Sequence, residues 1–323
     1  MLFSLAVMFI SFFVGFAMKR GGLCTYAAVD QIVNDKRMER MMVFLGVAAW
    51  ATLIIVPLHW LIPMDISVSF THYDFFIALL GGTVLGLGAF LNRGCFFGTF
   101  VALVSGNINY ITTLFGLSVG VAFTQIYISS IIPVTSYVSY VNEPMTGGYV
   151  WLAVMAFFAL FIAFSVKLNK DNFFIKKMDL DSLNLQSVIA MVTIGLGGAL
   201  LYATVSGWNY SDVLTNTTSM LIGTQEMGAS FIALLSTFSL VAGGIVAAVT
   251  AREFSISKVR FTLILGCFVG GALMGSSSMF IPGGNDGFLL KGIPGLASHA
   301  LLGYLTMILS MWALVYIFRN KRN

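Results

Sequence analysis

Charged side chains are scarce in this chain. Only 9% of its 323 residues are Asp, Glu, Lys or Arg, whereas 58% are hydrophobic. A soluble globular domain carries about 25% charged residues, so the composition excludes a soluble protein and indicates an integral membrane protein. Ten-residue segments of alternating hydrophobicity are missing, which argues against a membrane β-barrel. We interpret the net charge of +4 as a topological bias and predict no nucleic-acid partner.

Cysteines, histidines and nucleotide-binding motifs are also sparse. Three cysteines lie on separate segments without a CxxC pair, which excludes a disulfide framework and a cysteine-based metal site. The three histidines form no metal-binding pattern. Neither a P-loop nor a dinucleotide-binding fingerprint is present. We therefore predict no cofactor, no enzymatic activity, and transport that does not consume nucleotide.

Long apolar runs are what the chain does contain. A membrane-spanning helix needs about 20 predominantly apolar residues, and the runs predict an all-α membrane protein with about nine transmembrane helices plus short re-entrant half-helices. The predicted spans are residues 2–18, 42–62, 75–91, 108–132, 149–166, 187–202, 228–250, 259–274 and 297–318. The first run is expected to be a retained span, because basic Lys19 and Arg20 follow it rather than precede it.

The basic residues divide the predicted loops into two classes. All but two of the 17 Lys and Arg residues fall on one side of the nine-span arrangement, which the positive-inside rule makes cytoplasmic. We therefore predict a multi-pass protein of the bacterial inner membrane, with its N-terminus outside and its C-terminus in the cytoplasm. The two exceptions are Arg93 and Lys291.

Both exceptions lie in a glycine-rich motif that occurs twice. Residues 81–106 and 270–295 share six glycines in identical register with a constant shift of 189. Glycine-interrupted apolar segments in matching positions of two halves indicate the binding site of a transporter. The predicted topology gives the two motifs opposite orientations. We therefore predict inverted repeats with a pseudo-two-fold axis, residues 1–166 and 187–323, joined by a cytoplasmic linker, 167–186. Alternatively, the glycines serve only close helix packing.

Two cysteines follow glycine breaks in the first half. Cys24 lies in a segment too polar for a span, which we interpret as a short half-helix that starts near Gly22. Cys95 follows Arg93 and Gly94, where another half-helix would begin. A helix N-terminus and nearby basic residues favour a thiolate, and Arg93 offers positive charge to an entering anion. The alternative for each cysteine is a small apolar filler.

The second motif supplies further candidates for a substrate path: Gly283, Gly284, Asn285, Asp286 and Lys291. Gly284 occupies the position that corresponds to Cys95. Asp286 is an intramembrane carboxylate that either caps a helix, pairs with Lys291 or acts as a proton-linked group. Two weaker candidates, which also suit helix packing, are Cys267 and Ser276.

Three stretches carry a resemblance to a known family. They are RGGLCTYAAVD with Cys24, LNRGCFFGT with Cys95, and GGALMG followed by PGGND in the second half. Here the chain resembles the YeeE/YedE family of bacterial membrane proteins, which is associated with sulfur uptake and, in its better-understood members, with thiosulfate. The resemblance implies an hourglass-shaped bundle with inverted halves and three cysteines that pass a sulfur anion inward by S–H hydrogen bonds. Cys24 and Cys95 match two of them, and the third position is Gly284.

The expected function is therefore the import of a small sulfur-containing anion, thiosulfate, along a cysteine-lined path. The resemblance also implies a cytosolic sulfur carrier of the TusA type as a partner. Three alternatives stay open at this point. The substrate is another sulfur or selenium species such as sulfide, the chain is a membrane sulfurtransferase or redox protein that uses Cys24 and Cys95, or it is a structural membrane subunit.

Overall fold

The computed structural model describes residues 2–61, 70–73, 75–128, 134–137, 147–165, 185–205, 207–281 and 284–318. These ranges are almost entirely helical. The helices are α1 (Leu2–Arg20), α2 (Thr25–Asn34), α3 (Glu39–Leu61), α4 (Phe75–Asn92), α5 (Phe96–Val104), α6 (Ile111–Tyr127), α7 (Gly148–Ser165), α8 (Leu185–Thr204), α9 (Tyr210–Leu221), α10 (Phe231–Thr250), α11 (Phe261–Phe280), α12 (Gly284–Gly287) and α13 (Ser298–Phe318). A 3-10 turn at Ile108–Tyr110 precedes α6, and a π-helical turn at Phe288–Gly292 follows α12.

Eight helical segments of the described ranges are long and apolar enough to cross a membrane. In this set α1 and α2 form one segment, as do α4 and α5, and α7 is a shorter apolar helix at the fifth predicted span. The prediction of an all-α membrane protein with about nine spans is therefore confirmed. Half-helix α2 begins at Thr25, three residues after the predicted start, because Gly22 adopts a left-handed conformation with φ of 57°.

Two elements differ from the sequence-based expectation. Helix α9 lies between the sixth and seventh predicted spans, where the apolar pattern predicts no helix. Two short strands, β1 (Phe70–Tyr73) and β2 (Val134–Tyr137), pair antiparallel with Phe70 opposite Tyr137. The strands belong to the two loops without basic residues and connect these loops to each other. The predicted linker 167–186 lies outside the described residues except for its last two positions.

The contacts between helices occur in matching pairs. Helix α1 packs against α10 as α8 packs against α3, and α4 packs against α13 as α11 packs against α6. Two further contacts, α1 with α8 and α4 with α11, join helices that correspond to each other in this pairing. The order α1, α3, α4, α6 thus corresponds to the order α8, α10, α11, α13. The inverted orientation and the domain bounds stay predictions.

Glycines allow these helices to approach closely. A Cβ atom built on Gly82 would overlap the backbone of Gly303 in α13, and one built on Gly275 would overlap the backbone of Leu117 in α6. At the contact between α4 and α11, a Cβ on Gly88 would lie 2.8 Å from the carbonyl oxygen of Gly270. Small residues at helix contacts are the usual means of close packing in membranes. Much of the glycine repeat therefore serves packing.

We predict that Gly275→Ala destabilises the protein, because the added methyl group meets a backbone carbonyl that cannot move independently of α6. Overpacking of this kind costs about 1–3 kcal/mol, which corresponds to a melting temperature lower by about 5 °C in purified, detergent-solubilised protein. The matched control is Leu265→Ala on the same helix, where the side chain is 55% exposed and faces away from the bundle. Equal melting temperatures for the Gly275 variant and the unmodified protein would contradict the prediction.

Candidate functional site

The thiols of Cys24 and Cys95 lie next to each other at the starts of two half-helices. Cys24 is the N-cap residue of α2 and Cys95 is the N-cap residue of α5. The backbone N–H of Thr25 donates a hydrogen bond to Cys95 Sγ over 3.2 Å. In turn, Cys24 Sγ packs so closely on the first turn of α5 that a Cβ atom on Gly98 would overlap it. Each sulfur atom thus lies at the N-terminus of the other cysteine's helix, and each thiol interacts with the other.

Asn285 connects this pair of half-helices to the second glycine motif. Its Oδ1 accepts a hydrogen bond from the backbone N–H of Phe96 over 3.2 Å, and its Nδ2 donates to Thr25 Oγ1 over 3.3 Å. Phe96 and Asn285 are 189 residues apart, which is the shift that relates the two motifs. Equivalent positions of the two halves therefore meet beside the thiols.

A polar cluster of the second half adjoins Asn285. Asp286 Oδ2 accepts hydrogen bonds from Asn209 Nδ2 over 2.6 Å and from Ser211 Oγ over 3.2 Å. Asn209 is the N-cap residue of α9, and its Oδ1 accepts the backbone N–H of Asp212 over 2.8 Å. Tyr210, in the first turn of α9, donates its hydroxyl to the Phe96 carbonyl over 2.6 Å. The start of α9 is thereby attached to both α12 and α5.

Two cavities flank this region. One, of about 210 Å³, is lined by Phe96, Ser211, Ser278 and Gly284 among others. The other, of about 340 Å³, is lined largely by Lys19, Arg20, Gly21, Gly22, Leu23, Glu39, Arg40, Val43, Phe44, Val101, Ser187 and Glu253. Ser278 is near the C-terminal end of α11. Glu253 lies in the short connection between α10 and the N-terminal end of α11. The cavities therefore lie near opposite ends of α11, and each is lined by a chain neighbour of one thiol, Phe96 beside Cys95 and Leu23 beside Cys24.

The structure brings together five of the residues predicted for the path, namely Cys24, Cys95, Gly284, Asn285 and Asp286. Gly22 lines the larger cavity. Gly94 accepts a hydrogen bond on its carbonyl from Asn92 Nδ2 over 2.7 Å. Gly283 lies outside the described residues.

The other predicted residues make their hydrogen bonds and electrostatic interactions with groups other than the two thiols. Arg93 has an exposed side chain, and its carbonyl accepts the Tyr110 hydroxyl over 3.4 Å. Ser276 donates its hydroxyl to the Gly120 carbonyl over 3.2 Å, which is a contact between α11 and α6. Cys267 is buried in α11 beside Thr113 and interacts with Arg93. Lys291 interacts with Asp212 of α9.

Several polar residues of the site carry no obvious signal in the sequence. Asn92 donates to Gly94 and also to Thr99 Oγ1, and accepts the Thr113 hydroxyl over 2.7 Å. Asn209 has one recognisable feature, because an Asn followed three residues later by Asp resembles a helix N-cap signature. Within the described ranges, no three His, Cys, Asp or Glu residues are grouped so as to hold a metal ion.

A family model described as sulphur transport matches residues 20–313, which include both thiols and the whole second motif. The chain belongs to this sulphur-transport family. This membership confirms the resemblance found in the sequence. No curated protein matches the chain. Together with the apolar helices, membership makes the chain a multi-pass membrane protein of sulphur transport, and the transport assignment is consistent with a non-enzyme.

One ion pair of this sulphur-transport protein joins two residues that line the larger cavity. Lys19 Nζ donates to Glu253 Oε2 over 2.7 Å, with the Lys19 side chain 8% exposed and the Glu253 side chain 60% exposed. The Lys19 ammonium holds the pKa of Glu253 below its usual range. A carboxylate with a lowered pKa in the folded state stabilises that state above its unfolded pKa of about 4.3, and this contribution is lost as the pH falls through the folded pKa.

We predict that Glu253→Gln lowers the melting temperature at neutral pH but not at a pH below the folded pKa of Glu253. The effect is small, on the order of one or two degrees, because the carboxylate is mostly exposed to solvent. Thermal unfolding of both proteins at several pH values measures it. The control is Asp35→Asn, the same chemical change at an exposed residue. A difference that is the same at every pH would be inconsistent with the ion pair as its cause.

Proposed function

We propose that this sulphur-transport protein imports thiosulfate across the bacterial inner membrane. The observation that supports it is the pair of adjacent thiols, Cys24 and Cys95, at two helix N-termini between two cavities. The anion enters from the smaller cavity, passes the thiols and leaves through the larger one. The matched helix contacts support the further proposal that residues 1–166 and 187–323 are inverted repeats around this path.

The chemistry of the two thiols suits a soft anion in transit. An S–H group is a weak hydrogen-bond donor, and the N-terminus of a helix carries partial positive charge. Together they attract an anion without the strong binding that a lysine or arginine at the same place would give. A conducting site has to bind its ion weakly enough to release it. Thiosulfate matches this site because its terminal sulfur is polarisable and its oxygens accept hydrogen bonds.

The basic residues favour an inward direction. Lys19, Arg20 and Arg40 line the larger cavity, and a basic loop at a membrane surface marks the cytoplasmic side. The N-terminus is then outside and the C-terminus inside. A positive cavity raises the local concentration of anions and so presents the released thiosulfate to a cytosolic acceptor. A sulfur carrier of the TusA type is the acceptor that we propose.

We predict that Cys24→Ala and Cys95→Ala each reduce the uptake of sulfur-labelled thiosulfate at least about tenfold. A hydrogen bond to a charged group is worth about 1.5–3 kcal/mol, and about 1.4 kcal/mol corresponds to a factor of ten. The measurement uses cells that have no other route for sulfur uptake, with all proteins expressed equally. Cys267→Ala is the matched control, because this buried cysteine lies within α11 and not at the start of a half-helix. Its loss should leave uptake within about twofold of the unmodified protein.

Three results would argue against the proposal. If uptake by the unmodified protein were absent for thiosulfate but present for sulfide or a selenium anion, the substrate would be wrong. A covalent sulfur adduct on Cys24 or Cys95, detected by mass spectrometry during turnover, would indicate a sulfurtransferase, because hydrogen-bonded passage leaves no adduct. Loss of uptake in all three cysteine variants alike would remove the special role of the pair.

A further inference from the structure

The path through the thiols leaves the buried carboxyl of Asp286 unexplained. Asp286 is only 5% exposed. Its Oδ2 accepts the two hydrogen bonds from Asn209 and Ser211, but its Oδ1 is buried and has no hydrogen-bond partner among the described residues. A buried carboxylate oxygen without a partner is costly to keep, and an ionisable group at membrane depth is most often functional.

The unpartnered oxygen lies beside residues that line the smaller cavity. Oδ1 lies 3.1 Å from the point where a Cβ atom on Gly284 would stand, and the ring of Phe96 lies 2.7 Å from the same point. Gly284 and Phe96 both line that cavity, as does Ser211, which binds the other carboxylate oxygen. Gly284 has φ of 53°, so a residue with a side chain would be strained there and would crowd Oδ1. The glycine thus avoids a clash with the Phe96 ring and with Oδ1.

Several titratable groups of the described residues lie around Asp286. Asp212 and Tyr210 on α9 and Tyr202 on α8 interact with it directly. Lys291 on the π-helical turn interacts with Asp212, and Cys95 at the start of α5 interacts with Tyr210. Asp286 and Asp212 therefore form a pair of carboxylates that repel each other when both are ionised.

The hydrogen bonds around Asp286 fit a proton as its ligand. Asn209 and Ser211 direct donor groups at Oδ2, which leaves Oδ1 as the oxygen to which a proton can bind. A metal cation instead takes several ligands at once, and no three His, Cys, Asp or Glu side chains of the described residues are grouped so as to hold one. One proton on Oδ1 also removes the repulsion between the two carboxylates.

We propose that Asp286 is a proton-binding site and that its proton crosses the membrane together with the sulfur anion. This inference rests on the proposed function. A proton from water in the smaller cavity bonds to Oδ1, and the resulting O–H donates a hydrogen bond to the anion. When the anion leaves, the O–H has lost its acceptor, and the proton is released to water in the larger cavity. The carboxylate is then restored, and no other bond changes.

Binding of the two ligands is reciprocal. The anion supplies the acceptor that the O–H lacks, so it favours protonation of Asp286, and by linkage the proton favours binding of the anion by the same factor. An ionised Oδ1 repels the anion. The second half of the protein thus has a titratable carboxyl at its half-helix, where the first half has the thiols of Cys24 and Cys95.

Proton binding can be measured without any transport substrate. Infrared difference spectra of the purified protein, recorded during a pH titration, should show the C=O band of a protonated carboxyl that disappears as the pH rises. The band should be missing in Asp286→Asn and unchanged in Asp35→Asn, which alters an exposed carboxylate. Identical spectra for Asp286→Asn and the unmodified protein, throughout the pH range in which both stay folded, would overturn the proposal whatever the substrate is.

Coupling is tested in vesicles that contain the reconstituted protein and have a clamped membrane potential. Exchange of labelled thiosulfate against unlabelled thiosulfate, without a pH gradient, tests the proposed function alone. An inward proton gradient of one pH unit should then raise accumulation about tenfold for each proton carried, because one pH unit is a tenfold ratio of protons. Asp286→Asn should lose the response to the gradient, whatever its rate of thiosulfate exchange, and Asp286→Glu should keep the response.

The outcomes separate the two proposals. Exchange by the unmodified protein, combined with a gradient response that survives in Asp286→Asn, would overturn proton coupling and leave thiosulfate transport standing. A lack of exchange by the unmodified protein would reject thiosulfate, and the infrared titration would still decide the proton site. If Asp286→Asn does not exchange, Asp286→Glu decides. This variant should keep the response to the gradient, but the pH dependence of its transport should be shifted. A pH dependence identical to that of the unmodified protein would overturn the proposal for Asp286.

Discussion

Backbone that leaves a helix within a membrane has to find its hydrogen-bond partners inside the protein, because hydrocarbon offers none. Two asparagines meet this constraint here. Asn92 binds the Gly94 carbonyl and two threonine hydroxyls at the break after α4, and Asn285 binds the Phe96 N–H and Thr25. Because these bonds hold the half-helices at a common point, the thiol contact and the cluster around Asp286 both depend on them.

The two halves place different chemistry on corresponding elements. In the first half the half-helices begin at Cys24 and Cys95, and in the second half α9 begins at Asn209 while Gly284 stands at the position related to Cys95. Thiols are weak donors, whereas we propose that the carboxyl of Asp286 binds and releases a proton. The proposed path therefore combines a region where the anion is held loosely with one where its binding responds to pH, although the surrounding helices pack in matching pairs.

Some parts of the site could be predicted from the sequence because they depend on local patterns. Glycine breaks followed by Cys24 and Cys95 predicted the half-helix starts to within a few residues. Arg93 lies in the same break, but it adopts a left-handed conformation with φ of 56°, and its carbonyl accepts the Tyr110 hydroxyl. The sequence gives no sign of a left-handed conformation at a non-glycine residue. Helix α9 was missed because it is short and polar, with an apolar pattern much weaker than that of the spans.

By itself, the sequence determined the membrane class, the approximate number of spans, the repeated glycine motif and the family. These properties follow from hydrophobic length and from residue spacing, which are local along the chain. Only the tertiary structure decided that Cys24 packs on Gly98, that Asn285 joins the two motifs and that Asp286 meets Asn209, 77 residues away. Such contacts result from how closely the helices cross at their glycines, and that geometry depends on both packing surfaces together.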